Sequence, residues 1–445
     1  MSPMSRRDFL AASAVVAGTA LGMGCAPRPV DDKSVLVIGA GMAGLAAARS
    51  LADAGWPVRI IEARNRIGGR IDTNREWGTP LEMGASWIHG TTNNPLLELA
   101  DKVQAQLVPT DYNHPVKLAI DPALQPITFD AKTWRDLVSD AREEAVGGSL
   151  GTAVAAQADR EELSDRERAE LAYYVTTEIE DEYAADADQL SVTTFDQGSY
   201  TGGPQSVVTS GYDAFPRSLG ERLPIVFNTV VNSVVQQGNS IAVRAGARTF
   251  QGPAAIVTVP LGVLKSGAIT FDPPLPEAHT HAVNALGFGV LSKSYFRLRQ
   301  RSWDRENAFY QYLGATENRW AQWFTLPAAA GPIVLAFNPG RTGRYVESAP
   351  PADLLAAATP IARQLFGADL VDVRSSKWTV DPYALGSYSY HAPGSGPEDR
   401  RRLQEPVSDR LYLAGEAVGA DNPATVHGAL LSGRHAAAEL LRRLG

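Results

Sequence analysis

Apolar positions fall into short unbroken runs near both ends of the chain and into helically spaced runs in its middle. Val35 to Ile38 is such a run, and Ala43 to Ala54 after it is rich in Ala and Leu, which predicts a buried parallel strand turning into a helix. Val58 to Ile61 reads as a second buried strand. From Ala131 to about Asp188, Ala, Glu, Arg and Leu dominate with apolar residues at helical spacing, which predicts a helical insertion. Strand-like runs return at Val226 to Val235, Ile241 to Arg244 and Ala255 to Val259. A second sheet is predicted from Leu291 to Leu298, Ala308 to Leu313, Trp320 to Leu326 and Ile333 to Phe337.

Glycines punctuate this pattern at both extremes. Gly39, Gly41 and Gly44 sit where the first strand turns into its helix. There the first permits a tight turn, the second lets backbone approach a pyrophosphate, and the third lets helix and strand pack closely. Glu62 ends the second strand at about the ~20-residue spacing that places an acid on a ribose hydroxyl. The segment Glu62-Ala-Arg-Asn-Arg-Ile-Gly-Gly-Arg70 then offers Arg64, Arg70 and bare backbone N–H groups to a diphosphate. Leu411-Tyr-Leu-Ala-Gly-Glu416 supplies a second glycine turn far along the chain, so one cofactor gripped by a discontinuous domain is expected, and FAD fits that description.

Further segments carry a resemblance to a family. Leu81-Glu-Met-Gly-Ala-Ser-Trp-Ile-His-Gly90, Ser210-Gly-Tyr-Asp213, Val259-Pro-Leu-Gly-Val-Leu-Lys265, Gly386-Ser-Tyr-Ser-Tyr390 and Pro423-Ala-Thr-Val-His-Gly-Ala-Leu-Leu-Ser-Gly433 occur in order. With them the chain from Lys33 onward resembles the flavin-containing amine oxidases, and within that family it is most similar to the polyamine oxidases and lysine-specific histone demethylases. The resemblance implies an α/β fold in which a discontinuous Rossmann-like FAD-binding domain carries an α+β substrate domain. The expected FAD-binding pieces are 33–115, 200–262 and 380–445; 116–199, with the helical insertion, and 263–379 make the substrate domain.

The resemblance also implies roles for single residues. Glu416 holds the ribityl or pyrophosphate portion, the backbone of Thr425 and Val426 faces the flavin pyrimidine, and the backbone of Val230 meets the adenine. Lys265 reaches flavin N5 through a water, Trp378 and Tyr388 wall the reacting amine, and His89 stands near the entrance. In monoamine oxidases a second tyrosine closes an aromatic cage; Thr425 takes its place here and leaves the cage open on one side. Those enzymes attach flavin through a cysteine where this chain has Ser387, and Cys25 is the only thiol, so FAD is expected to be non-covalent. The acidic run Glu178-Ile-Glu-Asp-Glu182 reads either as a solvated face or as a site for distal positive charges.

The length of 445 residues exceeds one ordinary core. A formal charge of −8 with 20% charged residues gives no basic patch for nucleic acid and favours cationic substrates. Ser5-Arg-Arg-Asp-Phe-Leu10 and the apolar run Ala11 to Gly24 read as a twin-arginine export signal over 1–30, the run being too short for ~20 residues of spanning helix. A periplasmic or extracellular protein with no membrane span in its mature chain follows, and Cys25 at the end of the signal allows lipid attachment. No cluster has metal-ligand spacing.

The leading expectation is FAD-dependent oxidation of an amine, above all a polyamine, at the carbon next to nitrogen. Imine hydrolysis would then give an aldehyde, and molecular oxygen would give hydrogen peroxide. An amino-acid oxidase, a flavin dehydrogenase passing electrons to a carrier, and a non-catalytic flavin-binding scaffold are the alternatives.

Overall fold

The computed structural model describes residues 33–112, 114–125, 129–315 and 318–444. The export signal expected at 1–30, with Cys25, lies outside them.

Five short parallel strands form the central sheet, in the spatial order Leu411–Leu413, Ala255–Val257, Val35–Ile38, Val58–Ile61, Ile225–Val226. Both faces are covered, which is why these strands read as continuous apolar runs instead of alternating ones. Helices Met42–Asp53 and Val426–Leu444 pack together on one face. Gly433 permits that approach, since a Cβ there would stand 2.1 Å from the Ala43 carbonyl oxygen. Against the other face lies a sheet of four strands, Arg248–Gly252, Ser240–Ala245, Ser233–Gln237 and Thr270–Asp272, whose Val234, Ile241, Val243 and Phe250 share a core with Leu36, Ile38 and Ile61.

The expected strand Val226 to Val235 divides in two. Ile225–Val226 joins the central sheet and Ser233–Gln237 the four-stranded one, with Asn228 between them at φ 51°. The domain boundary expected after residue 262 also falls too early. Thr270–Asp272 pairs with Ser233–Gln237, and Ile269, Ala282, Val283 and Leu286 enter the same core as Leu36. One short strand and one helix carry no sequence mark of which sheet they will join; here burial against the FAD-binding core decides.

The second sheet has six strands in the order Leu370–Ser375, Leu291–Leu298, Ile333–Pro339, Gln322–Thr325, Phe309–Leu313, Lys117–Ile120. Helix Pro351–Phe366 covers one face through Leu354, Ala358, Ala362 and Phe366. The other face presents Tyr295, Phe309, Phe324 and Phe337 to Met83 and Trp87, and so meets the FAD-binding half. The helical insertion comprises Ala131–Glu144, Leu150–Arg160 and Asp165–Val175, each started by a capping side chain, Asp130, Ser149 or Ser164. The last helix continues into a π-helical turn, Thr176–Glu180, and then Asp181–Tyr183. Among the described residues no helix is long and apolar enough to cross a membrane.

Candidate active site

Both glycine turns open onto one cavity of about 870 Å³. Gly39, Gly41, Glu62, Arg64, Arg70, His89, Val230, Trp378, Tyr388, Glu416, Thr425 and Val426 line it; Gly44 and Lys265 do not.

The glycines divide their work as their positions require. Gly39 turns at φ +106°, and a Cβ on Gly44 would stand 2.0 Å from the Gly39 carbonyl oxygen, so Gly44 serves helix–strand packing. A Cβ on Gly41, or on Gly415 from the distant turn, would meet no atom of the chain within 4 Å. Bare backbone from two remote segments therefore faces the same space, as a pyrophosphate and ribityl chain need. The buried Glu62 carboxylate accepts the Ala40 N–H at 2.7 Å and the Arg64 N–H at 2.8 Å, which fixes it at the tip of its strand in the cavity wall. These residues fit FAD.

Glu416 is the most heavily bonded of them. It accepts Arg70 Nη1 at 2.8 Å through Oε1 and the Ser389 hydroxyl at 2.6 Å through Oε2. Burial opposes its ionisation, yet Arg70, Ser389 and Arg400 together hold it below the usual carboxylate range. Arg400 is itself buried, donating to Ser389 Oγ and His391 Nε2 at 2.8 Å each. Arg64 and Arg70, expected on a diphosphate, both line the cavity and are each also bonded to the protein. Arg64 Nη2 donates to Asp381 Oδ2 at 2.7 Å with its guanidinium 5.3 Å from the Tyr383 ring centre, and Arg70 also donates to the Ser387 carbonyl at 2.8 Å. These bonds brace the wall through one terminal nitrogen of each guanidinium.

Lys265 stands elsewhere than expected. The Pro260 turn starts a short helix, Leu261–Lys265, whose Val263 faces the cavity while the Lys265 ammonium donates to the carbonyls of Val283, Asn284 and Leu286 at 2.7–2.9 Å. It caps the C-terminal end of helix Glu277–Ala285, where a cation is favoured. The lysine in the cavity wall is Lys293, from strand Leu291–Leu298. Its ammonium donates to the Gly84 carbonyl and the Ser86 hydroxyl and lies 5.4 Å from the Trp87 ring centre. Burial pushes it down to about 7, with Glu82 pulling the other way, and burial pushes Glu82 up to about 7. The available signal was a lysine between two serines in a strand that is otherwise largely apolar.

Trp378 and Tyr388 both reach the cavity. Trp378 is fixed by its ring N–H on the Met83 carbonyl at 2.8 Å and its backbone N–H on Glu347 at 3.0 Å. Tyr388 donates its hydroxyl to the Asp181 carbonyl at 3.0 Å, and burial, with Glu182 and Asp181 near, keeps the phenol protonated far above its ordinary range. Ser387 exchanges hydrogen bonds with the Leu291 backbone. Thr425 donates to the Asn422 carbonyl at 2.7 Å and accepts the Gly428 N–H at 3.0 Å, so it caps helix Val426–Leu444 and directs that N-terminus at the cavity. His89 bonds Gln205 at 3.0 Å; His427, also lining, is pushed down to about 4 by burial and His89, and its Nε2 has no partner among the described residues. Asp181, missed as a single residue by the sequence reading, is a buried residue lining the cavity, and its Oδ1 has no hydrogen-bond partner among the described residues either. No group able to hold a metal ion occurs among the described residues.

Comparison with known proteins agrees with this arrangement. The model of the flavin containing amine oxidoreductase family matches residues 42–441. Lysine-specific histone demethylase 1 homolog 1 of Oryza sativa subsp. japonica is 31% identical over 94% of this chain and 53% of its own length. Polyamine oxidase 2 of Arabidopsis thaliana is 31% identical over 92% of this chain and 88% of its own. The chain thus spans about half the length of the demethylase homologues it matches and nearly all of the polyamine oxidase. A double mutant from a redesign of cofactor binding in putrescine oxidase superposes with a TM-score of 0.74 over 92% of this chain and 99% of its own at 19% identity, which shows a shared fold.

Proposed function

The chain belongs to the flavin containing amine oxidoreductase family, and from that premise we propose that it is an FAD-dependent oxidase of amines, with polyamines the favoured class. The overall conversion takes an amine, oxygen and water to an aldehyde, the released amine or ammonia, and hydrogen peroxide. Bound FAD supplies the two-electron acceptor that removes hydride from the carbon next to nitrogen. The similarity to a polyamine oxidase over most of both chains supports the substrate class.

The residues have separate tasks in this reading. Trp378 and Tyr388 give the amine two aromatic faces, one side left open at Thr425. Lys293, desolvated and near neutrality, holds or releases a proton at Nζ beside the reacting centre. The N-terminus of helix Val426–Leu444 favours negative charge at the end of the cavity it faces. The observation that carries the reading is the convergence of both glycine turns, the buried Lys293 and the aromatic pair on one cavity. An amino-acid oxidase would need an arginine free for a carboxylate, but the arginines lining the cavity, Arg64, Arg70 and Arg400, are tied to Asp381, Glu416 and Ser389. The paired arginines of Ser5 to Leu10 support export by the twin-arginine route as part of the same proposal.

The test is anaerobic addition of polyamines and monoamines to the holoprotein, followed by air. Bleaching of the flavin band and stoichiometric peroxide are expected. A flavin that stays oxidised with every amine overturns the proposal, and fast bleaching with slow reoxidation in air replaces oxygen with a carrier.

A further inference from the structure

We propose that Glu347, which does not line the cavity, is the positioning residue that sets the Trp378 ring against the substrate and, through Ser376, holds the strand that carries Lys293. This rests on the amine-oxidising reading above only where the two side chains meet the substrate; how they are held is independent of it.

Glu347 is buried, 2% exposed, in the last turn of helix Gly340–Ser348. Its carboxylate accepts four hydrogen bonds, all from one short segment. Oε1 takes the Ser376 hydroxyl and the Trp378 N–H at 3.0 Å each, and Oε2 takes the Thr379 N–H at 2.8 Å and the Thr379 hydroxyl at 2.6 Å. This segment leaves edge strand Leu370–Ser375 of the six-stranded sheet for the FAD-binding half. Ser376 also exchanges two bonds with Lys293: its N–H donates to the Lys293 carbonyl at 2.9 Å, and its hydroxyl oxygen accepts the Lys293 N–H at 3.1 Å. The tips of the two cavity side chains are held by consecutive carbonyls of the FAD-binding half, Trp378 Nε1 on Met83 and Lys293 Nζ on Gly84. A Cβ on Gly84 would stand 3.2 Å from Trp378 Cζ2, so the ring has little slack on that side. One carboxylate of the substrate half thus fixes the backbones of two residues whose tips the other half fixes.

An acid at this place runs against two costs. Negative charge is disfavoured at the C-terminal end of a helix, and the four donors are neutral, so no counter-charge arrives through these bonds. Lys377, the cation of the segment, bonds the Glu347 carbonyl instead and caps the helix. What the carboxylate brings is acceptors alone. A glutamine could not take its place, because its NH2 would face the N–H of either Trp378 or Thr379, and neither backbone group can rotate to accept. The group is therefore matched to holding this segment in one place, and the residue of the segment that lines the cavity is Trp378.

The experiment compares the holoenzymes of wild type, Glu347→Gln, Glu347→Asp, Trp378→Ala and the Glu347→Gln, Trp378→Ala double variant. In the indole region of a 15N spectrum, the Trp378 cross-peak, identified by its loss in Trp378→Ala, should shift in Glu347→Gln. A cross-peak that stays in place overturns the inference without reference to any substrate. With the amine that reduces the flavin fastest, Glu347→Gln should lower kcat/KM for flavin reduction by about tenfold or more, as a small misplacement of a positioning group does. In the Trp378→Ala background the same change should cost less than about threefold, and an equal factor in both backgrounds overturns the inference. Glu347→Asp, which keeps a group that only accepts, should retain more of the wild-type rate than Glu347→Gln; the reverse order also overturns it. Thr379→Val removes one of the four bonds and keeps the shape, so it carries the same spectral test should Glu347→Gln fail to hold flavin. If no amine reduces the wild-type flavin, the amine-oxidising reading falls, while the indole spectrum still decides whether Glu347 sets the ring.

Discussion

Replacing Lys293 with Met removes one charge from a dry wall, and the consequence is a change in how stability depends on pH. Burial lowers the amine from 10.5 to about 7 in the folded chain. The unfolded chain holds this proton up to about 10.5 and the folded chain only up to about 7. The penalty is therefore fully present below 7, shrinks as pH rises and is gone above 10.5, so this lysine makes stability increase with pH across that window. At about 1.4 kcal/mol per pH unit, the interval from about pH 7.5 to about pH 9.5 is worth roughly 3 kcal/mol. Glu82, raised to about 7 from 4.5, titrates below the interval.

Met fills a similar volume without charge and lacks that slope. It also removes the ammonium donor from the Gly84 carbonyl and the Ser86 hydroxyl, leaving them only their long mutual hydrogen bond of 3.5 Å, so stability at a single pH does not decide the question. The comparison across pH does. Urea unfolding of both holoproteins at the two pH values should show wild type gaining about 3 kcal/mol relative to Lys293→Met. Equal pH dependence in the two proteins would refute the reasoning. Stopped-flow traces of the same variant should show slowed flavin turnover.

Other outcomes follow from the same geometry. Glu416→Gln leaves Arg70 and Arg400 without their buried counter-charge, at about 3–5 kcal/mol, and should emerge from purification largely free of flavin; a normal flavin-to-protein absorbance ratio would contradict this. Gly41→Val should give a folded but colourless protein, because the new side chain meets only the cofactor's space, whereas Gly44→Val should misfold through its clash with the Gly39 carbonyl; circular dichroism and flavin content separate the two. Lys265→Met should cost about 1 kcal/mol of stability by uncapping helix Glu277–Ala285 and leave both flavin half-reactions at wild-type rates, and a slowed half-reaction would return Lys265 to the chemistry.

Local chemistry with one physical solution was readable from the sequence. Gly39, Gly44 and Glu62 lie within some two dozen residues of one another, and their spacing dictates a strand, a turn and an acid at the tip of the next strand with little help from the rest of the fold. The second glycine turn at Gly415 was readable from its own segment, whereas the role of Glu416 came only from the family resemblance. The lysine was not. Lys265 ends a motif that does start a turn at the cavity, but a five-residue helix rotates its last side chain outward, and only the position of helix Glu277–Ala285 reveals what it caps. Lys293 lies in a strand buried on both sides, so no alternation marks the face on which it emerges. Asp181 was hidden within a charge run, where one-dimensional pattern cannot separate a solvated carboxylate from a dry one; a π turn makes that difference. The boundary after residue 262 failed likewise, because contact between distant segments settles it.

The central sheet takes strands from Val35–Ile38 and from Leu411–Leu413, and helix Val426–Leu444 closes the cavity last in chain order. A ribosome still translating this message has made one jaw of the cofactor clamp and lacks the other. Flavin capture must therefore wait until helix Val426–Leu444 has been made. A frameshift or proteolytic nick near residue 410 would leave most of the polypeptide intact and yet unable to retain its dye.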